Sequence, residues 1–138
     1  MLRLALLISC VLAVFGAASA GAGVVHDCGA LSVGPGSLRH GSTHGAVCFF
    51  LAYPKCHPTS YTLSRFGVDT IATDVFQLQA TSNGCQVTVT GTFRVVPQHP
   101  HTTLRAVCLA LRRTPSDIVA TGCSGAGSTT TISLTGRH

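Results

Sequence analysis

The chain has 138 residues, of which 46% are hydrophobic and only 9% charged, with no Trp, no Glu and a mean hydropathy of +0.43. That is one domain's length, and it is too apolar for a chain disordered throughout and wrong in composition for a collagen or a coiled coil. Nine Lys and Arg against four Asp give a net charge of +5 and a pI near 9.1, with no run of like charges, so nucleic acid is not an expected partner.

Arg3 precedes an apolar stretch from Leu4 to Phe15, broken only by Ser9, and Ala18-Ser19-Ala20 supplies the small-x-small pattern of a signal-peptidase site. Residues 1–20 are therefore expected to be a secretory signal peptide. The stretch is shorter than the roughly 20 residues of a membrane span and lacks a basic flank, so no transmembrane segment is expected after cleavage. Leu7-Ile8-Ser9-Cys10 resembles a lipobox, which offers a membrane-attached lipoprotein through Cys10 as the alternative to a secreted chain. Apolar residues continue past Cys10, which favours release.

Residues 21–45 hold seven of the fifteen glycines together with Pro35, and predict a flexible Gly/Ser/His-rich arm pinned at Cys28. The single domain is expected over 46–138. From Ala46 to Tyr53 the chain is continuously apolar, preceded by Ser42 and Thr43 as candidate caps and closed by Pro54, which predicts a short buried helix. An unbroken apolar run has no period of its own, so a core strand in an all-β sandwich is the alternative. Tyr61 to Phe66 and Thr130 to Leu134 read as strands.

Between Asp74 and Val96 residues alternate around Asn83-Gly84, a pair suited to a two-residue hairpin turn. Centring the turn there pairs Ser82 with Cys85, Ala80 with Val87, Leu78 with Val89 and Phe76 with Gly91, leaving one face apolar with Cys85 pointing into the core. A second hairpin runs from Leu104 to Cys123 around Thr114-Pro115-Ser116-Asp117. Its register sets Arg113 against Ile118, Leu111 against Ala120 and Cys108 against Cys123. Arg112 and Thr121 share the cysteines' face, which places that bond on the wetter side, opposite Val107, Leu109 and Leu111.

Removal of Cys10 with the signal leaves Cys28, Cys48, Cys56, Cys85, Cys108 and Cys123, an even number in an exported chain, so three disulfides are expected. No C-x-x-C pair occurs, and an oxidising compartment disfavours the free thiolates of a zinc site. The hairpin register pairs Cys108 with Cys123. Cys48 and Cys56 lie within and just beyond the helix, so one should meet Cys85 and the other Cys28.

Chemistry-bearing patterns are sparse. Gly122-Cys123-Ser124-Gly125-Ala126-Gly127 passes near G-x-S-x-G without matching it and reads as a turn. The four carboxylates, Asp27, Asp69, Asp74 and Asp117, form no close pair; Asp117 has a turn role, and Asp69 and Asp74 read as caps flanking a connection between strands. These absences disfavour an enzyme and imply no cofactor; a cryptic secreted hydrolase would have to use Ser124, a histidine and Asp69. Seven histidines are the overrepresented functional type, and His40, His44, His99 and His101 are the candidate ligands of an extracellular metal-binding alternative. Lys55, Arg65, Arg94, Arg105, Arg112 and Arg113 offer a basic face to an anionic surface.

The series Cys48-Phe49-x-x-Ala52-Tyr53-x-x-Cys56-x-Pro58, Gly67-Val68-Asp69-Thr70, Asn83-Gly84-Cys85, Val95-Val96-Pro97, Cys108 and Gly122-Cys123 resembles a group of small exported cysteine-rich bacterial proteins of unknown function, over residues 48–134. The resemblance implies that the cysteine frame acts as one unit with helix and sheet, and implies no activity. Members resemble lipoproteins with a lipobox at the end of the signal, a pattern from which Ala18-Ser19-Ala20 departs. The expectation is an α+β domain, one short helix on an antiparallel sheet of about five strands. Its expected role is a secreted, disulfide-stabilised, non-enzymatic binding or interaction module. The loops at 97–103 and 114–117 would be presented to an extracellular protein or an anionic surface.

Overall fold

The computed structural model describes residues 24–35 and 39–137, so the expected signal at 1–20 and the alternative anchor at Cys10 lie outside the described residues. Strands β1 (His26–Val33) and β2 (Arg39–His40) precede helix α1 (His44–Ala52), which a 3₁₀ turn at Tyr53–Lys55 extends. Long strands follow: β3 (Thr59–Phe66), β4 (Thr70–Thr81), β5 (Gly84–Val95) and β6 (His101–Cys108). Short ones close the chain: β7 (Ala110–Arg113), β8 (Ile118–Thr121), β9 (Ser124–Ala126) and β10 (Thr131–Ser133). They form a seven-stranded sheet in the order β2-β1-β3-β4-β5-β6-β9 and a three-stranded sheet in the order β10-β8-β7. No helix among the described residues is long and apolar enough to cross a membrane.

The protein is thus mostly β, with the one short helix expected and more strands than expected. Part of the segment read as a flexible arm is strand. β1 pairs in parallel with β3, antiparallel with β2, and buries Leu31 completely. Glycine richness concealed it: Gly29, at φ +87°, lies in an irregularity of the β1–β3 register, and Asp27 Oδ1 accepts from its amide at 2.8 Å. Parallel neighbours need a crossover, and α1 lies within it.

The expected helix forms two residues earlier than read, with Ser42 Oγ accepting from the His44 amide at 3.0 Å. Only one of its faces is covered. Phe49 is fully buried, whereas Leu51 is exposed. The Phe49 ring meets Tyr61 and Phe76 at centroid separations of 6.2 and 6.3 Å, and those two lie 5.9 Å apart, an aromatic cluster that docks helix on sheet. Gly45 permits the approach, because a Cβ there would lie 2.7 Å from the Cys28 carbonyl oxygen and 2.9 Å from the Tyr61 ring.

The β4–β5 hairpin is real, but its turn is Ser82-Asn83. Thr81 opposes Gly84, which gives Ala80–Cys85, Leu78–Val87, Phe76–Val89 and Asp74–Gly91 in place of the expected pairs. Thr81 Oγ1 fixes the corner through Gly84 O at 2.8 Å, and the slip of two residues preserves both faces. At the second hairpin the expected register holds, Arg113 against Ile118 and Leu111 against Ala120, yet a break at Leu109 divides β6 from β7 and puts them in different sheets. The break reverses the expected facing. Cys108 is fully buried, while Leu109 and Val107 face solvent.

The small sheet covers the part of the large sheet that α1 leaves bare, so Leu111, Ile118, Ala120 and Ile132 complete one core with Leu78, Val87 and Val89. Helix-on-sheet and sheet-on-sheet packing therefore coexist on a single face. Tyr61 donates its hydroxyl to Leu134 O at 2.9 Å across the layers. Three disulfides staple the frame. Cys28–Cys48 ties β1 to α1, Cys56–Cys85 ties the end of the helical segment to the β4–β5 hairpin, and Cys108–Cys123 joins the ends of β6 and the small sheet. Cys108–Cys123 is the expected pair, and of the two arrangements left open for Cys48 and Cys56 the structure has Cys48 with Cys28 and Cys56 with Cys85; the bridges close loops with separations of 20, 29 and 15 residues.

Candidate functional site

Asp74 breaks an apolar stripe. Residues 74, 76 and 78 alternate onto the covered face of β4, where Phe76 and Leu78 fill the core and Asp74 is only 3% exposed. It is not the exposed cap expected between strands. Opposite it on β5 stands Gly91, at which a Cβ would lie 2.6 Å from Asp74 Oδ1 and 2.7 Å from Leu104 Cβ. From β3, Arg65 Nη2 donates to Asp74 Oδ2 at 2.5 Å, and the guanidinium side of this ion pair is 31% exposed against 5% for the carboxylate. The pair therefore runs from the core towards solvent.

It opens into a cavity of about 340 Å³ between the two sheets. Arg65, Asp74 and Leu104 form the wall contributed by the large sheet, and Asp117, Val119 and Ser133 face them from the small-sheet side. Thr129, Thr131 and Arg137 close the rim. Asp117 keeps its expected turn role: its amide donates to Thr114 Oγ1 at 3.0 Å, and its carbonyl accepts from the Thr114 amide at 2.8 Å. Its carboxylate Oδ1 accepts from the Ile118 amide and from Thr135 Oγ1, each at 2.6 Å. Asp117 and Arg137 also line a second cavity of about 160 Å³ beside the Thr114–Asp117 turn, next to Arg113 and Thr43. Both carboxylates are thus engaged, which suits positioning of polar groups better than proton transfer.

The candidate metal ligands are scattered over the described residues. His40 ends β2, His44 opens α1, His99 lies in the β5–β6 connection, and His101 begins β6 with its ring edge-on to Phe93 at 5.9 Å. Among the described residues the one group of three potential ligands is His26, Cys28 and Cys48, with atoms within 4.8 Å of one another. None of the four expected histidines belongs to it. The two sulfurs are bonded to each other, so they offer no thiolate to a metal.

The run that passes near G-x-S-x-G is partly strand: Ser124 lies in β9, held against β6, rather than in a turn. Gly125 allows this approach, since a Cβ there would lie 2.1 Å from Arg105 O. Ser124 shares a cross-sheet row with Val107 and Thr88, whereas Asp69 abuts the far end of β5, where Val96 donates its amide to Asp69 O. Seven residue steps along β5 separate Thr88 from Val95, about 23 Å at strand rise. The structure does not bring that hydrolase pair together.

The cavity escapes a sequence reading in which Asp74 caps a connection between strands. The signal was present: a carboxylate in register with Phe76 and Leu78 on an apolar stripe, with a glycine in the facing strand. Fold and cavity together define a small, mostly β module held by three disulfides, with a polar recess between its layers. Compared with known proteins, the chain matches no family model, and neither a curated protein nor a solved structure is similar to it.

Proposed function

We propose that this chain is an exported, non-enzymatic binding module that takes a small polar ligand in the cavity between its sheets. The observation that carries this reading is the Arg65–Asp74 ion pair presented to a 340 Å³ space also lined by Asp117, Thr129, Ser133 and Arg137. Guanidinium, carboxylate and hydroxyl groups, with Arg65, Asp74 and Ser133 fixed on strands and Asp117, Thr129 and Arg137 on the connecting segments, are the few oriented polar contacts that specify a small ligand. Export is supported by the first twenty residues and by six cysteines that pair completely. Membership of a group of small exported cysteine-rich proteins fits the same features.

Thermal unfolding of the oxidised protein with glucuronate, N-acetylglucosamine, citrate or glycine tests the reading. A solute at a hundred times its dissociation constant stabilises by about 2.7 kcal/mol, which raises the melting temperature by about 10 °C. The shift is expected to vanish in Arg137→Ala. Absence of a shift for all four solutes at millimolar concentration, or turnover of the bound solute that Asp74→Asn abolishes, would overturn it.

A further inference from the structure

The face of the large sheet that turns away from the core is uncovered among the described residues and carries mostly hydroxyl and amide groups, with Phe66, Ile71, Val75 and Val107 interspersed. Alternation puts Thr88, Thr90 and Thr92 of β5 on this face, opposite Gln77, Val75 and Thr73 of β4. The rows extend onto both neighbours: Thr90 opposes Arg105 on β6, and Thr73 opposes Ser64 on β3, their hydroxyls 3.3 Å apart. Rows repeat at about 4.8 Å across strands and at about 6.6 Å along them. Hydroxyls therefore recur at close, regular intervals over a four-strand width.

On β3, β4, β5 and β6 the charge of this face has one sign. Arg94 and Arg105, both exposed, are the charged side chains that β3, β4, β5 and β6 direct to it, since Arg65 and Asp74 lie on the covered face. Asp27 stands beyond them on β1, with Oδ1 bonded to its neighbouring Gly29 amide. Shallow recesses of about 230 Å³ lie at two places along β5: one is lined by Ile71, Thr73, Thr92, Arg94 and Pro100, the other by Val25, Thr59, Gln77, Leu78, Gln79 and Thr88. Thr88 and Thr92 lie about 13 Å apart along the strand, so a ligand that fills both recesses is linear and several units long.

We infer that this face binds an anionic polysaccharide laid along β5, its acid groups held by Arg94 and Arg105 and its hydroxyls by the threonine and glutamine rows. A guanidinium pairs with a carboxylate or sulfate through two parallel hydrogen bonds, which gives an acidic sugar both energy and orientation. Two cations are too few for the counterion-driven grip on a nucleic-acid backbone. Phe66, at the end of β3, is the one aromatic ring on these strands' open face, too few for successive bases to stack. The exposed apolar side chains here, Phe66 at the end of β3 and Val107 on β6, stand apart at opposite ends of the face and form no continuous patch for a lipid bilayer.

Affinity electrophoresis of the full oxidised chain through gels holding polygalacturonate, dextran sulfate or neutral dextran tests the inference, with phosphatidylglycerol vesicles and single-stranded DNA as competitors. Retardation is expected from an acidic polymer and not from dextran. The Arg94→Ala/Arg105→Ala double variant should weaken it about tenfold. Thr88→Val/Thr90→Val/Thr92→Val, which leaves charge unchanged, should weaken it about threefold. Arg112→Ala/Arg113→Ala, in the other sheet, and Arg137→Ala, in the cavity, should leave it within about twofold, which separates this site from the cavity. All variants alter exposed or half-buried side chains, and unchanged melting curves confirm the fold. The inference is overturned by no retardation, by equal loss in the Arg112/Arg113 variant, by indifference to the threonine substitutions, or by vesicles or DNA competing as well as acidic polysaccharide.

Discussion

Gly91→Ala probes the notch that seats the buried carboxylate. The new methyl would lie 2.6 Å from Asp74 Oδ1 and 2.7 Å from Leu104 Cβ, and Leu104 Cβ, one bond from the β6 backbone, cannot swing aside. Two effects compete. Alanine stiffens the unfolded chain, which favours folding by about 0.4–1 kcal/mol. Overpacking against a fixed neighbour costs about 1–3 kcal/mol. Repulsion wins, so we expect a net loss of about 1–2 kcal/mol in urea unfolding with an unchanged m-value. The same substitution made in Asp74→Ala meets only Leu104, so its cost should fall by about 0.5 kcal/mol or more, a coupling that a double-mutant cycle reads directly. A neutral or stabilising Gly91→Ala, or zero coupling to Asp74, would refute the idea that this glycine exists to admit the carboxylate.

Other expectations follow from the same frame. Replacing Cys108 and Cys123 together by alanine opens a loop of 15 residues and should cost about 3 kcal/mol of unfolding free energy; a loss under 1 kcal/mol would show that the bridge constrains little. Phe49→Ala empties the centre of the aromatic cluster and should cost about 3–5 kcal/mol by the same assay, whereas Leu51→Ala, on the exposed side of α1, should stay within about 0.5 kcal/mol. Zn(II) titrated into the oxidised protein should leave the His26 ring resonances unmoved at micromolar metal, because the neighbouring Cys28 and Cys48 sulfurs are bonded to each other; a saturable shift would show a metal site at His26 that does not depend on thiolates.

What the sequence shows and what it hides both have physical causes. One disulfide is legible because antiparallel register is set by local turns: a four-residue turn at Thr114–Asp117 puts Cys108 opposite Cys123, whereas the choice of Cys48, on the helix, for Cys28 and of Cys56, beyond it, for Cys85 is made by packing. β1 is hidden because its partner is a parallel strand reached through a crossover, a contact no local turn announces, and because Gly29 interrupts its pattern. The first hairpin slips by two residues because Asn83-Gly84 satisfies a turn in either frame, and the choice is made by packing, where Gly91 must face Asp74 rather than Phe76. The break at Leu109 reverses which side of β6 faces the core, and nothing in the alternation of Val107, Leu109 and Leu111 foretells it. The cavity, assembled from β3, β4 and the C-terminal segment, depends on all of these.

The central claim is that six cysteines are permanently paired and hold both sheets and the helix as one frame outside the cell. A non-reduced peptide map of the protein recovered from the medium of the cells that make it tests this most directly. The account predicts a chain beginning near Gly21, three cross-linked peptides joining Cys28 to Cys48, Cys56 to Cys85 and Cys108 to Cys123, and no alkylatable thiol. Recovery only from inside cells with free thiols, or a peptide joining Cys108 to any other cysteine, would contradict it.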